Sequence, residues 1–206
     1  MLPFRSGASV KRELILVGDV SATPASASDW RALAESMATG STVVFLSQDA
    51  FKRDKQEVAW LPLANKGRIH NFNDWLYHKE CVAKPHPIFE GLQGKGMLDW
   101  YYYGPIWPHH VFEGQDTPAE VVAASFAAGY STAGGYASGV LLGSYKFGAG
   151  QFIVNSFPII EYVDKHPAAD RLLLNLIKHA STSATGSAVA LPADFQARLK
   201  QIGYAD

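Results

Sequence analysis

The segment from Gly139 to His179 constrains the fold more than any other part of the chain. Residues 140–146 and 152–157 are two apolar runs of strand length, and both contain many residues that favour β-structure. Gly148 and Gly150 lie between them and supply the backbone freedom that a tight turn needs. The pattern predicts a β-hairpin that is followed by a loop and a long helix.

That helix is predicted over residues 166–179. Pro167 lies in its first turn, where the missing N–H group of proline costs nothing. Apolar residues recur at helical spacing, so we expect one face of the helix to pack against a sheet; they are Leu172, Leu173, Leu176 and Ile177.

The first 46 residues predict a β-α-β unit. Residues 14–19 and 42–46 are continuous apolar runs, which are typical of strands that a parallel sheet buries on both faces. Between them, Ser26 and Asp29 have the spacing of a capping box, and a helix is predicted over residues 30–38. Such a unit is the building block of α/β proteins.

The middle of the chain has weaker patterns. Charged residues at 51–58 and apolar residues at 71–82 predict two further helices, and the second helix would contain Cys81. Residues 84–92 are predicted to be extended, and residues 97–111 carry an aromatic cluster whose rings would alternate between two faces if that segment is extended too. Residues 118–128 are predicted to form a strand, with a helix as the alternative.

Together these elements predict an α/β fold of three layers. It would have a mostly parallel sheet with helices on both faces, and a C-terminal antiparallel hairpin near one edge. We expect residues 1–180 to form this domain. Residues 181–206 would add a linker-like segment and a short helix that packs on it.

The composition excludes some classes of function. The chain has 206 residues, of which 48% are hydrophobic and 18% charged, which is typical of a globular domain. A net charge of -1 argues against nucleic-acid binding. We expect no membrane span, because no apolar run approaches the roughly 18 residues that a span needs. No signal peptide is predicted at the N-terminus.

Three segments, taken in order, resemble a known family. Residues 14–19 and 40–48 are similar to two strands of that family, which a helix connects. The second strand ends in a sharp turn called the elbow. Residues 86–92, His-Pro-Ile-Phe-Glu-Gly-Leu, and the glycine hairpin at 146–155 are similar to later motifs. The family is the class I glutamine amidotransferase-like (flavodoxin-like) fold, in the branch of ThuA-like proteins and of accessory domains of glycoside hydrolases.

The resemblance implies where catalytic residues would lie. Active members have a cysteine at the elbow and a histidine at the end of a late strand, with an acidic residue close after it. Here the elbow consists of Ser47, Gln48 and Asp49, and Ser156 or Phe157 stands where the histidine is expected. We therefore predict that the triad is absent and that no residue of this chain is catalytic.

The segment 99–110 has the most unusual composition in the chain. Large rings with polar tips suit stacking on sugars, but packing of alternate rings in the core or at a domain interface is the more common use of such a segment. Its candidate ligand-binding residues are Asp99, Trp100, Tyr102, Trp107 and His109. Asp19 is a further candidate, because it lies beside the elbow at the carboxyl ends of two strands, where open α/β sheets bind ligands.

We predict no metal and no cofactor. The histidines at 70, 78, 86, 109 and 110 lack a recognised ligand spacing, and adjacent histidines in extended chain point apart. Asp99 and Glu113 are not predicted to act as a glycosidase pair, because nothing in the sequence brings them together.

The function expected from the resemblance is that of a non-catalytic accessory domain of a carbohydrate-active enzyme. Its partners would be a neighbouring glycosidase domain or a carbohydrate, and an oligomer stays open. The alternative is a ThuA-like enzyme of carbohydrate metabolism. The sequence does not fix the compartment, which would be periplasmic or extracellular if the chain belongs to a glycoside hydrolase.

Overall fold

The structure, a computed structural model, describes residues 11–18, 25–71, 79–128 and 135–205. The helices are α1 (Ala27–Ala38), α2 (Trp100–Tyr103), α3 (Ile159–Tyr162), α4 (Pro167–Ser183) and α5 (Phe195–Gln201). The strands are β1 (Leu14–Val17), β2 (Thr42–Phe45), β3 (Arg68–Asn71), β4 (Lys79–Ala83), β5 (Gly96–Met97), β6 (His110–Glu113), β7 (Glu120–Ala128), β8 (Tyr136–Phe147) and β9 (Gly150–Asn155). Short 3₁₀ turns lie at Gln48–Phe51, Pro87–Phe89 and Gly104–Ile106.

The described strands form one mixed sheet of nine strands in the order β1-β2-β9-β8-β7-β4-β5, and β6 joins β3 to β8. Only the pairs β1–β2 and β2–β9 are parallel, and the other described pairs are antiparallel. The α/β class is confirmed, but the prediction of a mostly parallel sheet is wrong. Strands β7, β8 and β9 follow one another through short connections, which favour antiparallel pairing.

The predicted β-α-β unit is confirmed. Strands β1 and β2 pair in parallel, with Ile15 opposite Val43. Helix α1 begins after Ser26, whose hydroxyl accepts from the N–H group of Asp29 while the Asp29 carboxylate accepts from the N–H group of Ser26. Both halves of the capping box are thus present, and the apolar face of the helix is buried against the sheet.

The predicted hairpin is also confirmed, as β8 and β9, but it lies in the middle of the sheet and not near an edge. Its turn has Gly148 at φ +60, a left-handed conformation that glycine adopts without strain. A Cβ atom on Gly150 would overlap the carbonyl oxygens of Ser41 and Met37. Glycine at this position therefore lets the start of β9 lie directly against the end of α1.

Side chains of β2 alternate between two apolar clusters. Val43 and Phe45 join the cluster that contains α1 and α5, whereas Val44 and Leu46 join the cluster that contains α4. Because successive strand residues point to opposite faces, helices cover both sides of the sheet at β2. In α4, Leu172 and Leu176 are fully buried, as the helical spacing predicts.

Several predictions for the middle of the chain are wrong. Cys81 lies in strand β4, where it pairs with Ser125 of β7, and not in a helix. Residues 51–58 form turns, with Arg53 bridging Gln56, because their charged side chains have no apolar face to bury. The aromatic segment contains helix α2 and a 3₁₀ turn, so its rings do not alternate as in an extended chain.

The C-terminal segment packs on the cluster around α1. The buried ring of Tyr204 meets the stacked rings of Trp30 and Trp60 in T-shaped contacts, and its hydroxyl donates to the carbonyl of Trp60. Leu199 and Ile202 are buried beside it. Among the described residues, no helix is long and apolar enough to cross a membrane.

Candidate functional site

The elbow predicted from the resemblance lies at the carboxyl end of β2, beside β1. Ser47 is the N-terminal cap of the turn Gln48–Phe51, and its Oγ accepts from the N–H group of Asp49 at 3.2 Å. The hydroxyl that would replace a nucleophilic thiol therefore has a capping role in the described structure. Asp19, predicted to lie beside the elbow, falls outside the described residues.

The imidazole of His110 contacts the elbow, although His110 is distant from it in the sequence and no motif connects the two. Nδ1 of His110, at the start of β6, lies 3.3 Å from Nε2 of Gln48. Burial lowers the pKa of His110 below its ordinary value, so its ring is neutral at pH 7. Within the described part of the chain, the imidazole contacts the amide of Gln48 and not a hydroxyl or a thiol.

The cleft at this point is small. Its volume is about 40 Å³, and its lining includes Gln48, Asp49 and His110. Sites for small molecules commonly enclose roughly 300–1,000 Å³. The cleft has room for a water molecule but not for a sugar ring or a glutamine side chain.

The end of β9, where the resemblance places a catalytic histidine, is filled by structural contacts. Nδ2 of the buried Asn155 donates to the carbonyls of Leu46 at 3.1 Å and Phe157 at 2.8 Å, and its Oδ1 accepts from the N–H group of Phe157 at 3.2 Å. Phe157 is itself buried, and Glu161 is exposed on α3. Asn155 thus ties the elbow to the loop after β9 and offers no base.

The exposed rings of the aromatic segment lie on α2. Oδ1 of Asp99 accepts from the N–H groups of Tyr101 at 2.7 Å and Tyr102 at 3.3 Å, so it caps this helix of one turn. The exposed fraction is 56% for Trp100, 93% for Tyr101 and 42% for Tyr102. With Met97, also exposed, these rings are called the aromatic surface below.

Two further rings of the segment support this surface from beneath. Trp107 is 8% exposed, and its ring centroid lies 5.6 Å from that of Trp100. Tyr103 is fully buried and donates its hydroxyl hydrogen to the carbonyl of Gln93. The structure therefore places Trp107 in the core rather than on the exposed face of the segment, while His109 is exposed two residues later.

Asp99 and Glu113 are engaged in separate roles. Asp99 caps α2, whereas a carboxylate oxygen of Glu113 lies 2.7 Å from Nε of Arg68 and 3.5 Å from Nδ1 of His70. Glu113 therefore pairs with strand β3, and the two carboxylates are not joined in one site by any described contact.

One cluster of chemically active side chains was missed by the sequence analysis. His86, Glu120 and His179 each offer a ligand atom, and the three atoms lie within 4.8 Å of one another. These residues belong to three distant parts of the chain, so no spacing in the sequence joins them. The only signal is that His86 lies in the His-Pro motif that carries the family resemblance.

Comparison with models of known protein families finds no match, and comparison with curated proteins finds no significant match.

Proposed function

We propose that the chain is a non-catalytic, amidotransferase-like accessory domain of a carbohydrate-active enzyme, and that it contacts carbohydrate through the aromatic surface. The observation that carries this proposal is the exposure of Trp100, Tyr101 and Tyr102 on one short helix. Large apolar groups that a folded protein leaves exposed together usually mark an interaction site.

The chemistry of the rings favours a sugar. Tryptophan and tyrosine offer an apolar face and a polar tip, which match the alternating C–H and O–H groups of a pyranose ring. The packing of Trp107 behind Trp100 and the cap from Asp99 hold the helix in place, so little conformational freedom is lost when a ligand binds. Asp99 is itself exposed and offers a polar group at the rim.

The contacts at the elbow favour the proposal that the domain is not catalytic. Ser47 acts as a cap, Asn155 occupies the end of β9, and the cleft that Gln48 and His110 line has a volume of only about 40 Å³. Hydrolysis of an amide or an ester would need a nucleophile beside a base, together with space for the substrate.

The proposal is tested with a carbohydrate array, followed by calorimetric titration of the best oligosaccharide. We expect Trp100→Ala and Tyr101→Ala to bind about fivefold more weakly, because a ring contact contributes roughly 1 kcal/mol. Tyr136→Ala is the matched control, since this ring is exposed on β8, outside the aromatic surface. Its affinity should equal that of the parent chain.

Two results would overturn the proposal. Absence of binding by the parent chain to every sugar would remove the carbohydrate role and leave contact with a glycosidase domain. Glutaminase or esterase turnover that is lost in His110→Ala would show that the elbow is active, which contradicts a non-catalytic domain.

A further inference from the structure

We propose that His86, Glu120 and His179 form a binding site for a transition-metal dication of the zinc class. Each residue contributes one ligand atom, and these atoms lie within 4.8 Å of one another. Nε2 of His86 is 3.7 Å from Oε1 of Glu120, and the centroids of the two imidazole rings are 4.6 Å apart. Small side-chain rotations would bring all three atoms to the roughly 2 Å that zinc–ligand bonds need.

Three elements of the fold converge on this site. His86 caps the 3₁₀ turn Pro87–Phe89, Glu120 is the first residue of β7, and His179 lies in α4. The side chain of His86 is only 7% exposed, whereas that of Glu120 is 35% exposed. The site is thus anchored in the fold on one side and open to solvent on the other.

The protonation states suit a cation. Burial lowers the pKa of both His86 and His179, and the proximity of the two rings lowers that of His86 further. A hydrogen bond from Lys84 lowers the pKa of Glu120. At pH 7 the site therefore offers two neutral imidazoles and one carboxylate, the forms that bind metal. Two nitrogens and one oxygen favour zinc and its neighbours over calcium or magnesium.

Two contacts of the described structure compete with the ion. Nζ of Lys84 donates to Oε1 of Glu120, and its ammonium group repels a dication. Nδ1 of His86 accepts from the N–H group of Ile88 at 3.2 Å, which places the proton of the neutral ring on Nε2. A metal at Nε2 moves that proton to Nδ1 and ends the capping bond. Both contacts lower the affinity, and Lys84 provides a direct test.

The experiment is calorimetric titration of the full chain, freed of metal by a chelator, with zinc chloride alone. We expect one zinc ion per chain. His179→Gln and His86→Asn should weaken binding at least roughly tenfold, since even indirect changes to metal sites have effects of this size. Asparagine is a good capping residue, so His86→Asn removes the ligand and keeps the cap. Lys84→Met should bind zinc several-fold more tightly, because the competing ammonium is gone.

His109→Gln is the matched control, because His109 is an exposed histidine outside the cluster. Its zinc affinity should stay within about twofold of the parent value, and thermal unfolding in chelator should show that every variant folds. The proposal is overturned if the parent does not bind zinc, if His109→Gln weakens binding as much as His179→Gln, or if Lys84→Met leaves the affinity unchanged or lower. The aromatic surface includes none of these residues, so sugar binding is tested separately.

Discussion

At the scale of single residues, Asn155 stabilises the end of β9, the place where active members of the resembled family would have a catalytic histidine. Its side chain makes three hydrogen bonds, and all three are to backbone groups on two segments. The residue is fully buried, so no solvent can replace these bonds when they are lost.

We expect Asn155→Ala to lower the free energy of unfolding by about 3 kcal/mol, because buried backbone groups would lose their partners. The measurement is urea denaturation followed by circular dichroism. Asn65→Ala is the matched control: its amide donates to the carbonyl of Gly114 at 2.8 Å, but the residue is exposed. Water can replace that bond, so the loss should stay below about 1 kcal/mol. Equal losses for both variants would contradict the role given to burial.

At the scale of elements, helix α1 depends on its first turn. The hydroxyl and backbone of Ser26 form hydrogen bonds with Asp29, and these bonds lower the pKa of the Asp29 carboxyl below its ordinary value of 3.8. The charged form is thus favoured in the folded state. Its stabilising effect is present above the ordinary pKa and is lost as the pH falls through the folded-state pKa.

Ser26→Ala should therefore destabilise the protein by about 1 kcal/mol at pH 7 and by less at about pH 3, which lies below the ordinary pKa of 3.8, because the unfolded chain there binds the proton at Asp29. Chemical denaturation at both pH values measures the difference. Ser28→Ala serves as the control, since Ser28 lies in the same turn and, among the described residues, its hydroxyl forms a hydrogen bond with the Ser26 hydroxyl but not with Asp29. A loss for Ser26→Ala that does not depend on pH would contradict the coupling to Asp29.

The elements also show what the sequence can predict. The β-α-β unit and the hairpin follow from local patterns, namely apolar runs, a cap and turn glycines. The strand order does not, because it depends on pairings such as Val43 with Phe152 that join distant segments. Apolar spacing before Cys81 predicts a helix, whereas pairing with β7 decides the conformation of this residue. The cluster around His86 exists only after three elements have packed.

At the scale of the whole molecule, buried tyrosines limit the pH range in which the fold is stable. Burial raises the pKa of Tyr103 and Tyr204, and it raises that of Tyr145 to about 12. The unfolded chain loses these protons near pH 10. Stability from these groups is therefore complete below pH 10 and is lost as the pH rises above it.

Tyr145→Phe separates this effect from hydrogen bonding. Among the described residues the Tyr145 hydroxyl has no hydrogen-bond partner, so the variant should match the parent at pH 7. At about pH 11 it should be more stable than the parent by about 1 kcal/mol, because one ionisation of the unfolded chain is removed. Tyr204→Phe should already be less stable at pH 7, since it leaves the Trp60 carbonyl unpaired. Denaturant midpoints of both variants and the parent at the two pH values test these expectations. If Tyr145→Phe and the parent lose equal stability at alkaline pH, the role given to the ionisation of Tyr145 is contradicted.

Because the hairpin lies in the middle of the sheet, β2 can gain its second neighbouring strand only late in synthesis. Strand β2 has β1 on one side and β9 on the other, and β9 follows it only after β3 to β8 have been made. A nascent chain on the ribosome therefore carries β2 with one row of N–H and C=O groups unmatched until Gly150–Asn155 emerge. Translation must pass Asn155 before its side-chain amide can donate to the carbonyl of Leu46, directly before the elbow.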